Sequence, residues 1–303
     1  MRTPARTVKA LAATFTTLAT TAAVALGTVA PAEAAKTVRY VALGDSYTAS
    51  PGTTLPVGSP LGCLRSLDNY PRRVASANGY RLTDVSCSGA TTEDFSSAQR
   101  TAAGTNAPQY DALSRHADIV SVGIGGNDIG FADIIQKCAE LTATNALRLF
   151  PSDSPCEDFY TSSGADELEQ RIDALAPEIA VVLDTVRART SKRTEIRLVG
   201  YPAILPETYL LSCPAGGIPF TPDDVAYLRD VEKDLNATLA AEAAGASSPV
   251  TYVDTYTDFI GHDACQPATR SWINGLTNTG NGIIVHPKSR GQASMARSVL
   301  GTL

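Results

Sequence analysis

Short apolar runs rich in β-branched residues recur along this chain at 38–43, 119–124, 196–199 and 250–253, and each stops at a glycine or a polar residue. Runs this short with no polar face suit strands buried on both sides, the habit of a parallel sheet. The stretches between them carry helical periodicity at 69–77, 167–189, 223–244 and 289–300. In the second, Ile172, Leu175, Ile179, Val182, Leu183 and Val186 recur at i, i+3, i+4 spacing and mark one core-facing stripe. Short strands alternating with such helices imply an α/β fold, a three-layer α/β/α sandwich around a central parallel sheet. Two stretches break the alternation, 51–68 and 205–222. Both are rich in Pro, Gly and Ser, each holds a cysteine, and both read as long loops pinned by disulfides.

The first residues follow a different logic. Arg2, Arg6 and Lys9 precede an uncharged run at 11–30 built mostly of Ala, Val, Leu and Thr, and Ala32-Glu33-Ala34 then offers a small-x-small cleavage site. That layout predicts a secretory signal peptide over 1–34 and an exported protein. The competing reading is a membrane anchor. Threonines dilute the run, a cleavage site follows it, and no second apolar stretch of about 20 residues appears later, so no stable anchor is expected. Residues 35–303 are an ordinary length for one α/β domain. A formal charge of −6 gives no basic footprint for nucleic acid.

Six cysteines follow the signal segment: Cys63, Cys87, Cys138, Cys156, Cys213 and Cys265. An even count in an exported chain reads as disulfides. A zinc site would need clustered ligands, yet there is no C-x-x-C pair and the histidines stand apart at 116, 262 and 286. No metal or other cofactor is therefore expected. Counting alone does not choose a pairing. The expected one joins Cys63 to Cys87, Cys138 to Cys156 and Cys213 to Cys265, because each bridge then closes one local excursion between core strands.

Ligands of open parallel sheets bind beyond the carboxyl ends of the strands, so the residues that follow each apolar run are the candidates for chemistry. After the first comes Gly44-Asp45-Ser46-Tyr47, after Val85 comes Ser86-Cys87-Ser88-Gly89-Ala90, and after the 119–124 run comes Gly125-Gly126-Asn127-Asp128. Singly, each has a bland reading: a helix cap, a tight turn, and for His286 before Pro287 a structural histidine. In this order they resemble the SGNH hydrolases, also called the GDSL esterase/lipase family, over residues 38–300. Ser46 matches the first block, Gly89 the second, Asn127 the third and His286 the last. The signal segment, the size and the six cysteines look most like the secreted actinomycete lipase/esterase branch. The resemblance implies a flavodoxin-like sandwich, with Ser46 as nucleophile, His286 as its base, and an oxyanion hole from the Ser46 and Gly89 N–H groups and the Asn127 side chain.

Those roles also make physical sense. A serine hydroxyl is a weak nucleophile until a base takes its proton, and the charge growing on the carbonyl oxygen needs fixed donors. One position departs from the pattern: much of the family has an Asp three residues before the histidine, where this chain has Ile283. A carbonyl can orient an imidazole as well as a carboxylate can, so the expectation is a Ser46/His286 dyad with the Ile283 backbone carbonyl as third member. Asp263 is the alternative acid. The expected activity is ester hydrolysis through an acyl-enzyme, on lipid-like or small esters, by a monomer. The rivals are a sugar-directed acetyl esterase, weakened by the scarcity of aromatics beside Trp272, and an inactive binding module.

Overall fold

In the computed structural model, which describes residues 37–277 and 280–303, the apolar runs become strands. The expected signal segment, 1–34, lies outside those residues. In chain order the elements are β1 (Arg39–Gly44), α1 (Ser46–Ala49), α2 (Tyr70–Asn78), β2 (Arg81–Asp84), β3 (Gln99–Thr101), β4 (Gly104–Asn106), β5 (Ile119–Gly123), α3 (Phe131–Asn145), α4 (Pro155–Tyr160), α5 (Glu167–Arg189), β6 (Glu195–Val199), α6 (Cys213–Gly216), α7 (Pro222–Gly245), β7 (Thr251–Val253) and α8 (Ser289–Leu300).

Five strands make one parallel sheet in the order β2-β1-β5-β6-β7. β1 and β5 are buried almost throughout, which explains why their sequences show no polar alternation. Helix α2 packs with α8 and α5 with α7, supplying the two outer layers of an α/β/α sandwich. The predicted stripe on α5 faces inward, with Ile172, Leu175, Ile179, Val182, Leu183 and Val186 all buried. Local signals set the helix ends. Asn69 accepts the Arg72 N–H ahead of α2, Asp166 caps α5, and Thr221 caps α7 just before Pro222.

The sheet order reverses between β1 and β5, so their carboxyl ends open a crevice at the topological switch point. The loop 51–68 lies beside that crevice. Cys63 is bonded to Cys87, Cys138 to Cys156 and Cys213 to Cys265. The first bridge fastens the loop to the chain leaving β2, and the Ser88 N–H adds a bond to the Cys63 carbonyl at 3.1 Å.

Several features had no counterpart in the sequence reading, among them the short helix α4 and, inside the expected loop 205–222, the single turn α6. The antiparallel pair β3–β4 is only three residues deep. Helix α3 starts after Gly130, which offers no side-chain cap, and ends in Thr142, Thr144 and Asn145, so neither its start nor its last turn carries a strong helical signal.

Candidate active site

Gly44 ends β1, and the chain turns sharply into α1. The turn is held from three directions. Gln109 accepts the Gly44 N–H at 2.7 Å and donates to the Gly44 carbonyl at 3.0 Å. The Asp45 N–H donates to the Gly123 carbonyl of β5 at 3.0 Å. The Asp45 carboxylate caps α1 by accepting the Tyr47 N–H at 2.8 Å. Ser46 is thereby the first residue of the helix, where its own N–H has no intrahelical acceptor.

His286 reaches this serine from the loop before α8. Its Nε2 lies 2.7 Å from the Ser46 Oγ. The ring stacks on Tyr47 with centroids 4.6 Å apart, and the Tyr47 hydroxyl donates to the Val285 carbonyl at 2.7 Å. Gln292 of α8 donates to the Tyr47 carbonyl at 3.0 Å and accepts the Tyr70 N–H at 2.8 Å, joining the Ser46 turn, α2 and α8.

The carbonyl facing Nδ1 of His286 belongs to Ile284, at 2.7 Å, and not to Ile283. The Ile283 expectation is corrected by the local backbone. Val285 has φ +50, a conformation that β-branched residues seldom adopt. The resulting bend turns the preceding carbonyl, rather than the one before it, toward the ring. Asp263 is engaged elsewhere, accepting the Cys265 N–H and the Gln266 side chain, both at 3.0 Å. His262 stacks on Trp272 and faces the Arg270 carbonyl. Burial pushes the His286 imidazole down to about 4, with the Ile284 carbonyl opposing the shift only in part.

Asn127 stands at the exit of β5. Its Nδ2 donates one hydrogen to the Ala90 carbonyl at 2.8 Å, which leaves the second for another acceptor. Gly89, the residue before Ala90, has φ +79, a region glycine enters without strain. Asp128 accepts the Thr92 N–H at 2.9 Å, so the second and third blocks are tied at two points.

A group that the sequence reading passed over connects the third block to the first. The Tyr201 hydroxyl donates to Asp45 Oδ2 at 2.5 Å and accepts the Gly126 N–H at 2.7 Å. A Cβ at 126 would lie 3.0 Å from that hydroxyl, so the Tyr201 ring would have to yield by a few tenths of an ångström. Burial raises the Asp45 carboxyl to about 7 against the pull of the Tyr201 and Tyr47 bonds. Tyr201 follows β6 by two residues, so inspecting every strand exit would have found it.

Beside Ser46 opens a cleft of about 520 Å³. One wall is α3, through Phe131, Ala132, Ile135 and Ala139; the other is Leu276, Ile283 and Ile284. Among the described residues no three His, Cys, Asp or Glu side chains gather as metal ligands.

Comparison with known proteins agrees with this geometry. Residues 42–293 match the GDSL-like lipase/acylhydrolase family. The chain is 40% identical to Lipase 2 of Streptomyces coelicolor, over 90% of this chain and 88% of that one. Its fold is similar to the crystal structure of phospholipase A1 from Streptomyces albidoflavus NA297, with a TM-score of 0.69 and 26% identity over 88% of this chain and 99% of the other. It is similar also to an extracellular lipase of Streptomyces rimosus, with a TM-score of 0.66 and 28% identity over the same shares. A serine and histidine in hydrogen-bond contact, an asparagine with a free amide hydrogen and a match across the whole sandwich lead to one conclusion: the chain belongs to the GDSL-like lipase/acylhydrolase family and is a carboxylic ester hydrolase.

Proposed function

We propose that Ser46 is the nucleophile and His286 its general base, acting on esters with an apolar acyl group. The observation that carries this reading is the 2.7 Å contact between Ser46 Oγ and His286 Nε2 at the edge of an apolar cleft. His286 takes the serine proton as Oγ attacks the ester carbonyl carbon. The negative charge forming on the carbonyl oxygen is received by the Ser46 N–H, the Gly89 N–H and the free Asn127 amide hydrogen, each such donor stabilising the transition state by about 3 kcal/mol. Collapse of the tetrahedral intermediate expels the alcohol, protonated by His286, and leaves an acyl-serine. Water then repeats the sequence, with His286 as base again.

The aliphatic lining of the cleft favours a lipid-like acyl chain over a sugar ester, since a sugar's hydroxyls would meet few partners there. We also propose export after removal of 1–34. Three disulfides support it, because such bonds persist in oxidising surroundings.

Hydrolysis of p-nitrophenyl esters of increasing chain length, beside a triacylglycerol and a phospholipid, tests the substrate class. The expected result is turnover that Ser46→Ala abolishes and that rises with acyl length beyond acetate. A preference for acetylated sugars would overturn the class, and failure of Ser46 to react with a fluorophosphonate would overturn the nucleophile.

A further inference from the structure

Two uncharged segments meet beside the catalytic cleft, one lining it through Leu276, Ile283 and Ile284 and the other touching that wall. From Ser50 to Leu64 and from Ser271 to Val285 the sequence holds no Asp, Glu, Lys, Arg or His, although 18% of the whole chain is charged. The two segments touch: a Cβ on Gly52 would lie 3.0 Å from the Gly282 carbonyl carbon. After the second segment come Lys288, which lies beside Gly280 and donates to Ser271 Oγ at 3.3 Å, and exposed Arg290, which donates to the Thr269 carbonyl at 2.9 Å. After the first, the charges are paired internally. Arg65 is buried and donates to the Ser86 and Ser59 carbonyls, and Asp68 pairs with Arg73.

On this rim large aliphatic side chains face water. Leu55 is 85% exposed and Leu67 61%. They are brought together by the bridge between Pro56 and Ser66 and by the bond from the Leu67 N–H to Thr54 Oγ1. Across the Gly52–Gly282 contact, Ile283 and Ile284 are also exposed while lining the cleft mouth. Single exposed leucines are ordinary, but a group of them bordering a catalytic cleft marks an interaction surface.

The loop that carries Leu55 and Leu67 is held firmly. Cys63 is bridged to Cys87, the Val57 N–H donates to Arg65 O, the Ser66 N–H donates to Ala49 O of α1, and the Thr53 and Thr54 hydroxyls meet Ser66 Oγ. A face presented by such a loop needs little ordering when it binds. Its position is also fixed relative to Ser46, through α1.

We propose that Leu55 and Leu67, with Ile283 and Ile284 at the cleft mouth, form a docking face for a lipid layer of no net charge, from which the acyl chain enters the cleft directly. The proposal rests on the reading of Ser46 as an esterase nucleophile acting on lipid-like esters. The occupant follows from charge: Leu55, Leu67, Ile283 and Ile284 carry none, the neighbouring Lys288 and Arg290 are held by Ser271 Oγ and the Thr269 carbonyl, and the chain's formal charge of −6 repels an anionic layer. A second exposed group, Leu147, Leu149 and Phe150, is a weaker candidate. It includes Arg148 and lies past the end of α3, about 20 Å along the helix from the Phe131 end.

The test measures binding and hydrolysis separately. Binding is measured by co-sedimentation with phosphatidylcholine vesicles in the Ser46→Ala background, which cannot consume the lipid. Adding Leu55→Ser and Leu67→Ser should weaken binding at least about tenfold, since withdrawing even part of two leucines from lipid exceeds the free energy of one decade. Adding Leu147→Ser, Leu149→Ser and Phe150→Ser should leave binding within about twofold, and phosphatidylglycerol in the vesicles should not strengthen it. With Ser46 intact, the Leu55→Ser/Leu67→Ser variant should hydrolyse dissolved p-nitrophenyl acetate as the parent does, which also shows that it folds. Unchanged vesicle binding by the rim variant, loss of binding in the 147–150 variant instead, tighter binding to anionic vesicles, or no vesicle binding by the parent would each overturn the docking face. Failure of the esterase reading would show differently, as an intact Ser46 protein that hydrolyses no ester in solution.

Discussion

An imidazole held by a carbonyl alone has a measurable signature in the acid limb of the pH profile. Burial lowers His286 to about 4, and the Ile284 carbonyl carries no negative charge to favour the imidazolium. General-base catalysis needs the neutral ring, and kcat/KM reports ionisation in the free enzyme. At pH 5 a histidine titrating near 4 is about 90% neutral, whereas one at the ordinary value near 6.5 is about 3% neutral, a ratio of roughly 30. The assay is kcat/KM for a soluble, non-ionising ester followed by pH-stat from about pH 3.5 to 8. The expected profile keeps most of its activity at pH 5 and falls only as pH approaches 4. Asp45, raised to about 7 beside Ser46, is the group that could add a second step. Repeating the profile with Asp45→Asn removes that step and leaves the His286 limb. Asp263→Asn should move neither, because Asp263 bonds Cys265 and Gln266. An acid limb near 6.5 that survives Asp45→Asn would refute the lowered value, and one well above 6.5 would mean that a carboxylate steadies the imidazolium and would refute the carbonyl-held dyad.

Ser46→Ala and His286→Ala should each cut kcat by about 10⁴-fold or more, and the double variant should lose little further, because the pair acts as a unit; steady-state kinetics of the three variants checks this. Asn127→Ala should lower kcat about 10²-fold with KM nearly unchanged, the mark of a donor used in the transition state; a melting-point loss at unchanged kcat would assign it to the turn alone. Tyr201→Phe cuts the link between Asp45 and the Gly126 N–H, and should lower kcat about tenfold or more at similar KM, since small displacements of positioned groups are costly. Asp45→Asn should also change how stability varies with pH. The folded carboxyl at about 7 lies above its unfolded value near 4, so Asp45 contributes stability at low pH that is lost as pH rises through 7. The melting point of the variant should therefore gain on the parent between pH 4 and 8, and a constant difference would contradict the raised value.

What the sequence discloses and what it withholds differ by kind of interaction. β1 and β5 were readable because buried strands demand uninterrupted β-branched runs, and α5 because a helix on a sheet repeats its apolar stripe. The candidates Ser46, Gly89, Asn127 and His286 could be proposed only as a set, since each block alone has the composition of a turn. Ile284 was out of reach, because its role depends on the backbone angle of Val285, and a valine gives no warning of positive φ. Gln109, Tyr201 and Gln292 act across 65, 156 and 245 positions respectively, and no local pattern encodes a contact of that span.

These long-range contacts explain how a site without an acid stays in register. In a full triad the carboxylate both aims the imidazole and stabilises its charge. Here the two tasks separate. Aim comes from neutral groups: the Ile284 carbonyl on Nδ1, Ser46 on Nε2, and the Tyr47 ring against the flat face. Val285 is conformationally strained, a state that persists only when its surroundings over-determine it. The Tyr47 hydroxyl on the Val285 carbonyl and the Val285 N–H on the Asn274 carbonyl supply that constraint. Since Tyr47 also sits in the helix that Ser46 begins, one residue braces both ends of the proposed proton path. In the proposed mechanism charge stabilisation is then left to the oxyanion donors, which would make Asn127 and the turn that Tyr201 anchors more important to the rate than in a site with its acid in place.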